Sequence, residues 1–306
     1  MKEMIVICGA TATSKTKLAV ALAKKLDTEV ISADCMLIYK GLDVGTAKPT
    51  DEEKDGVVHH MIDVAEPTQS FSVSDYKNAA LPIIERLERE GKTPIVCGGT
   101  GFYIDALLYE STMGGVGANL EVRKKYDELL KENGLEKGAE ILHELLRKVD
   151  EKSAEVLHKN DVKRVVRALE IYETTGKRKS EQKDEKISRR PFKAFCIDYP
   201  RETLYERINA RAEKMFDKGL IDEVCALLDG GVPRDAQCMQ GIGYKEVVES
   251  LLDGVSTEEA KENVKRHTRN YAKRQITYFK RMANLTRIPH ELLETDESLR
   301  FMDEWL

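Results

Sequence analysis

Met4-Ile5-Val6-Ile7-Cys8 is a short apolar run, and Gly9-Ala10-Thr11-Ala12-Thr13-Ser14-Lys15-Thr16 follows it directly. Five consecutive apolar residues bounded by glycine predict a strand buried on both faces, as in a parallel sheet. Beyond the loop, Leu18, Ala19, Leu22, Ala23 and Leu26 recur on one face, so Lys15 to Leu26 is expected to be an amphipathic helix. A strand, a loop of small residues and a helix opening on Lys-Thr form the setting of a phosphate-binding loop. Its backbone N–H groups and the positive end of the helix dipole point into one concavity. Lys15 adds a point charge, and the Thr16 hydroxyl can ligate magnesium. The usual pattern has glycine where Ser14 stands, and a Cβ there strains the loop or crowds a phosphate. The bland alternative is a strand-to-helix turn that happens to be rich in small residues.

Outward from this stretch the same pattern repeats. Val30-Ile31 and Thr93 to Cys97 read as two more strands, with a helix from Ser74 to Arg89 between them and Gly91 where that helix stops. Strands alternating with helices, with glycines at strand ends, predict an α/β fold: a P-loop-containing parallel sheet core flanked by helices, with ligands at the carboxyl ends of the strands. From about Met113 the character changes. Gly114-Gly115-Val116-Gly117 reads as a hinge, and charged amphipathic helices without a strand signal follow to about Thr175. Phe192 to Ile197 returns to strand composition, Pro200 opens a helix to about Lys218, and the last third reads as helical, its final long element running from about Thr257 to Asn284. The expected organisation is a discontinuous core, 1–111 and 191–306, interrupted by an all-helical insertion at 112–190.

Two further strand ends carry chemistry. Asp34, in Ser32-Ala33-Asp34-Cys35, should lie beside the phosphate loop, where it can hold a magnesium-bound water, act as a general base, or merely cap a helix. Gly98-Gly99-Thr100-Gly101-Phe102-Tyr103 lacks the acid that nucleotide hydrolases carry at their magnesium-binding strand, which weakens a simple ATPase reading.

The 306 residues include 54 Asp plus Glu and 49 Lys plus Arg, a net charge of -5. Taken alone, that balance argues against a polyanion partner. It hides Lys261 to Arg281, where eight basic residues meet one acid, Glu262, with Tyr271, Tyr278 and Phe279 between them. On a helix, Arg266, Arg269, Lys273 and Lys280 form one stripe able to follow a phosphate backbone, although a solvated face is the ordinary meaning of such a run. Arg164 and Arg167 share another helix face, and Lys177 to Lys193 is a mixed basic stretch. The adjacent His59 and His60 do not share a face, and no metal role is expected of them. Six dispersed cysteines predict neither disulfides nor structural zinc. No apolar run approaches membrane-spanning length, so a cytoplasmic protein, not membrane-bound, is expected; a monomer is expected as well.

Taken together, these segments resemble the bacterial-type tRNA dimethylallyltransferase (tRNA isopentenyltransferase) family. The resemblance rests on the phosphate loop, on Ile31-Ser32-Ala33-Asp34 through Gly45-Thr46-Ala47-Lys48-Pro49, and on Gly98 to Tyr103. It continues through Asn160-Asp161 with Arg164 and Arg167-Ala168-Leu169-Glu170, Gly241-Ile242-Gly243-Tyr244-Lys245-Glu246, and Tyr271-Ala272-Lys273-Arg274-Gln275. It implies transfer of a dimethylallyl group from dimethylallyl diphosphate to the exocyclic amine of the adenosine 3′ of the tRNA anticodon. Asp34 and Thr100 would be catalytic, and Gly9, Thr11, Ala12, Thr13, Ser14, Lys15, Thr16 and Arg211 would hold the diphosphate with Mg2+ on Thr16. Asp34, Cys35, Met36, Leu37, Arg123, Lys163, Arg164, Arg167, Arg266, Arg269, Lys273, Arg274 and Lys280 would contact the anticodon stem-loop. Cys35 departs from the family's usual Ser. The competing readings are an isopentenyltransferase acting on free adenine nucleotides, a P-loop small-molecule kinase, and an RNA-binding relative without transfer activity.

Overall fold

The computed structural model describes residues 3–110, 117, 119–182, 187–294 and 297–304. Of the expected hinge, Gly114, Gly115 and Val116 lie outside the described residues. The chain divides into two compact units, Met1–Leu108 with Arg189–Leu306, and Tyr109–Ser188.

The first unit is built on one six-stranded parallel sheet: β1 (Met4–Cys8), β2 (Val30–Ser32), β3 (His59–His60), β4 (Ile95–Gly98), β5 (Phe192–Asp198) and β6 (Leu285–Pro289), in the order β3-β2-β4-β1-β5-β6. β1 is fully buried between its neighbours, with Val6 opposite Val96 on one side and Ala194 on the other. That double burial is why its sequence shows no polar alternation. The helix Lys15–Leu26 buries Leu18, Ala19, Val20, Leu22 and Ala23, and its side of the core also holds Ile5, Ile7, Phe195, Ile197, Ile288 and Met302. The helix Val73–Arg89 begins at a reciprocal cap, in which Ser72 N–H donates to Asp75 and Asp75 N–H donates back to the Ser72 hydroxyl. Its Tyr76 hydroxyl donates to the Ser32 carbonyl at 2.9 Å, and the ring stacks on Tyr103 at 3.9 Å. This pins the end of β2 to the helix Gly101–Leu108.

The wholly helical reading of the last third does not hold. The helix Thr257–Phe279 stops before Asn284, whose left-handed backbone (φ 53°) turns the chain into β6, parallel to β5. The short edge strand β3 was likewise not expected. There His60 pairs with Glu29 at 2.5 Å, and His59 Nδ1 meets the Val57 carbonyl at 2.9 Å.

The second unit contains the helices Leu120–Asn133, Leu135–Val149, Glu151–Val156 and Val162–Thr175 around Tyr126, Leu142, Leu146, Val165, Ala168 and Leu169. Glu170 is fully buried, yet accepts from Asn119 N–H at 2.7 Å, Arg123 Nε at 2.7 Å and Arg167 Nη1 at 2.6 Å. Burial alone would raise its carboxyl, and these hydrogen bonds from both arginines and the backbone outweigh it, so the pKa lies below the ordinary glutamate value.

Candidate active site

Because the sheet is parallel, the loops after β1, β2 and β4 open at one edge. In the loop after β1, Gly9 (φ 139°), Ala12 (φ 62°) and Ser14 (φ 58°) all have positive φ, bending the backbone around a concavity. No side chain caps the helix that starts at Lys15, and its first turn holds no acid, so its N–H groups and dipole are left for an anion. Lys15 Nζ turns back to the Ala10 carbonyl at 2.6 Å, and Thr13 Oγ1 donates to the same oxygen at 2.8 Å. Burial pushes the Lys15 ammonium below its ordinary pKa, and Arg211 pushes the same way, while Cys97 and Asp34 oppose. An incoming anion relieves both costs. Thr16 follows on the first helical turn.

Asp34 ends the β2 segment. Its Oδ1 accepts the Met36 N–H at 2.9 Å, and Oδ2 accepts no hydrogen bond among the described residues. Thr100, after β4, accepts the Cys35 N–H at 3.0 Å and donates its own N–H to the Ala33 carbonyl at 3.0 Å. The two strand ends approach this closely because Gly98 has no side chain; a Cβ there would run into the Ala33 carbonyl. Burial, then the nearby Asp34 and Cys35, raises the pKa of the Tyr271 hydroxyl, and Thr100 opposes them. Burial, then Asp34, pushes the Cys35 thiol up to about 11, so it is a neutral weak donor and no nucleophile at neutral pH.

Three further residues assemble the site, and the sequence reading gave none of them a role. Gln275 accepts the Thr11 N–H at 2.9 Å and donates to the Gly99 carbonyl at 2.9 Å, tying the phosphate loop to the β4 loop. Arg207 donates to the Ala12 carbonyl and to Ser14 Oγ, both at 2.8 Å, with its guanidinium over the Tyr199 ring. Glu223 gathers the N–H groups of Asp43, Val44 and Gly45 at 2.7 to 3.0 Å and the Tyr244 hydroxyl at 2.6 Å. The loop so held presents the Thr46 carbonyl to Arg211 Nη2 at 2.7 Å. Burial lowers the Arg211 pKa, and the Asp34 carboxylate opposes it. Lys15, Arg211 and Asp34 are thus within one electrostatic neighbourhood. Two cations and a carboxylate with a free oxygen, at the mouth of an anion loop, suit a reaction that expels an anion and removes a proton.

The family model described as IPP transferase matches residues 37–282. The chain belongs to the IPP transferase family. It is 44% identical over 302 residues to a tRNA dimethylallyltransferase of Acetivibrio thermocellus, covering 98% of this chain and 95% of that one. The corresponding protein of Halalkalibacterium halodurans is 44% identical over 290 residues, 94% of this chain and 91% of its own. Among solved structures, the full-length tRNA isopentenylpyrophosphate transferase of Bacillus halodurans superposes with a TM-score of 0.71 at 38% identity, covering 99% and 96% of the two chains. A eukaryotic dimethylallyltransferase acting on tRNA gives 0.83 at 27% identity, covering 99% and 78%.

The basic residues of this IPP transferase separate into held and unpaired ones. On the helix Thr257–Phe279, Lys261 and Lys265 are both paired with Glu213 of the helix Arg201–Asp217, Arg266 donates to Asn263 at 2.7 Å and Arg269 to Asn209 at 2.6 Å. Lys273, Arg274 and Lys280 are exposed, and none of them has an ion pair among the described residues. In the second unit, Arg123 and Arg167 are committed to Glu170, Arg164 pairs with Asp161 at 3.1 Å, and Lys163 is exposed. Met36 and Leu37 are half-buried beside Asp34. Among the described residues no helix is long and apolar enough to cross a membrane.

Proposed function

We propose that the protein transfers a dimethylallyl group from dimethylallyl diphosphate to the exocyclic amine of the adenosine 3′ of the anticodon in tRNA, releasing diphosphate. The observation that carries this reading is the convergence of Lys15, Arg211 and Asp34 at the phosphate-loop edge of a family member. The allylic C–O bond breaks with its electron pair leaving on diphosphate. The loop N–H groups from Thr11 to Ser14, Lys15 and Arg211 stabilise the charge that builds there. The amine nitrogen forms the new bond to carbon, and its proton passes to Asp34, whose Oδ2 is open to accept it. Thr100, already anchored to the Cys35 and Ala33 backbone, orients the base beside Asp34. An adenine stacked in an anticodon loop cannot reach this edge, so the base flips out. The Thr16 hydroxyl is a hard oxygen donor of the kind magnesium takes alongside substrate phosphates, and it would hold that ion. When bound, magnesium neutralises charge on the leaving diphosphate. The protein acts as a monomer in the cytoplasm in this reading.

Incubation with radiolabelled dimethylallyl diphosphate and magnesium, offering tRNA, AMP or neither, tests it. Label in tRNA only is expected. Label in AMP only overturns it in favour of a free-nucleotide enzyme, and phosphate release from ATP without transfer favours a kinase or hydrolase.

A further inference from the structure

Phe102 is the second residue of the helix Gly101–Leu108. While Tyr103, Ile104, Leu107 and Leu108 of that helix are buried, Phe102 keeps 64% of its surface exposed. It therefore contributes little to the core, and a large exposed ring two positions from Thr100 calls for another use. The ring is propped rather than loose. It stands edge-on to Tyr278, with centroids 5.5 Å apart, and Tyr278 is fixed by its hydroxyl to Asp105 at 2.7 Å and by packing against the bare backbone of Gly101. Tyr278 belongs to a series, Tyr271, Arg274, Tyr278 and Arg281, whose steps of three, four and three put it along one side of the C-terminal part of the helix and the turn after it. The series begins at the site, because the Tyr271 hydroxyl lies near Asp34, Cys35 and Thr100 and the Arg274 guanidinium lies over the Tyr271 ring at 5.6 Å. From Thr100 outward the surface thus alternates aromatic and cationic groups. Rings offer sequence-tolerant platforms for bases, and interleaved cations take the phosphates between them, which is how single-stranded nucleic acid is held.

We propose that the exposed Phe102 ring stacks on the nucleobase adjacent to the reactive adenosine, with Arg274 and Arg281 on the flanking phosphates, so that a flipped-out loop is recognised through its neighbour. This rests on the reading of the substrate as an RNA loop. It places recognition on the Tyr271 to Arg281 side of the helix, and not on the Arg266, Arg269, Lys273, Lys280 stripe alone.

The test uses the full chain and an anticodon stem-loop RNA carrying 2-aminopurine at the position before or after the reactive adenosine. Wild-type protein should quench the probe in at least one of the two RNAs. Phe102→Ala should abolish that quench and weaken RNA binding about tenfold, with the KM for dimethylallyl diphosphate unchanged. Phe102→Trp should keep the quench, whereas Phe102→Leu, apolar but without a π face, should not. Because the side chain is exposed, all three variants should melt within a few degrees of wild type. Unchanged quench and RNA affinity in Phe102→Ala, with wild-type protein transferring normally, overturn the proposal. A raised KM for dimethylallyl diphosphate at unchanged RNA affinity also overturns it and assigns the ring to the donor's isoprenoid tail. If wild-type protein transfers nothing to RNA, the functional reading itself fails and this proposal falls with it.

Discussion

Ser14 has φ 58° and ψ 29°, left-handed values that cost an L-residue roughly 1–2 kcal/mol and that glycine adopts freely. Its hydroxyl recovers part of this by accepting from Arg207. Replacing Ser14 by Gly removes the strain, but it also forfeits that exposed hydrogen bond, worth about 1 kcal/mol at most, and loosens the unfolded chain by roughly 0.5–1 kcal/mol. These nearly cancel, so Ser14→Gly should unfold in urea within about 1 kcal/mol of wild type. Ser14→Val should be less stable by more than about 2 kcal/mol, since a β-branched residue fits the left-handed region worst. Asp34 is governed by chemistry rather than strain. Its backbone tie through Met36 N–H survives in Asp34→Asn, and proton acceptance does not. Transfer by Asp34→Asn should fall at least about 100-fold while tRNA affinity, read by filter binding, stays near wild type; equal loss of both would remove Asp34 from the chemistry.

At the scale of elements, the helix Thr257–Phe279 shows why a charge count misleads. Lys265 looks like part of a basic run, but Glu213 and Glu262 both pair with it, whereas Lys273 and Lys280 have no such partner among the described residues. Neutralising Lys273 or Lys280 should therefore lower the slope of log K against log salt for tRNA binding by about 0.7 each, one single-strand phosphate contact apiece. Lys265→Gln should leave that slope unchanged, and equal effects from all three would mean that the ion pairs open on RNA binding. The helix Val162–Thr175 makes the opposite use of charge: its buried Glu170 holds its own Arg167 and Arg123 of the helix Leu120–Asn133. Removing the buried carboxylate takes away the acceptor that Asn119 N–H, Arg123 and Arg167 share, so Glu170→Ala should cost about 3 kcal/mol. Since the folded pKa of Glu170 is depressed, its contribution is fully present above the unfolded value of about 4.3 and is lost as pH falls through the lower folded value. The stability gap between wild type and Glu170→Ala should accordingly narrow in urea titrations below about pH 4.

For the whole molecule, what the amino-acid sequence makes legible is what depends on neighbours along the chain. The place of the loop Gly9 to Ser14, of Asp34 after β2 and of the Gly98 to Thr100 turn is legible because a strand, a turn and a helix start are local, and β1 and the helix Lys15–Leu26 lie where their periodicity puts them. The strand β6 was missed because Leu285-Thr286-Arg287-Ile288-Pro289 is a half-polar edge segment whose strand partner among the described residues is β5, far away in sequence. Gln275, Arg207 and Glu223 were missed for the same reason, since their bonds to the loops span 264, 195 and 180 positions. The division of the chain adds a last prediction. Arg189 N–H donates to the Leu108 carbonyl at 2.8 Å, so the two ends of the first unit meet where the second is inserted. Replacing 109–188 by a three-residue Gly-Ser-Gly linker needs no stretching of the core. Every residue proposed for the diphosphate, Gly9, Thr11 to Thr16 and Arg211, lies outside the excised segment. The shortened protein should unfold cooperatively and bind diphosphate, measured calorimetrically, with an affinity near that of the full chain. Its tRNA binding should weaken and lose salt dependence by about 0.7 to 0.9 in slope for the phosphate that Lys163 contacts. A shortened protein that folds yet cannot bind diphosphate would show that the donor site needs residues from 109–188.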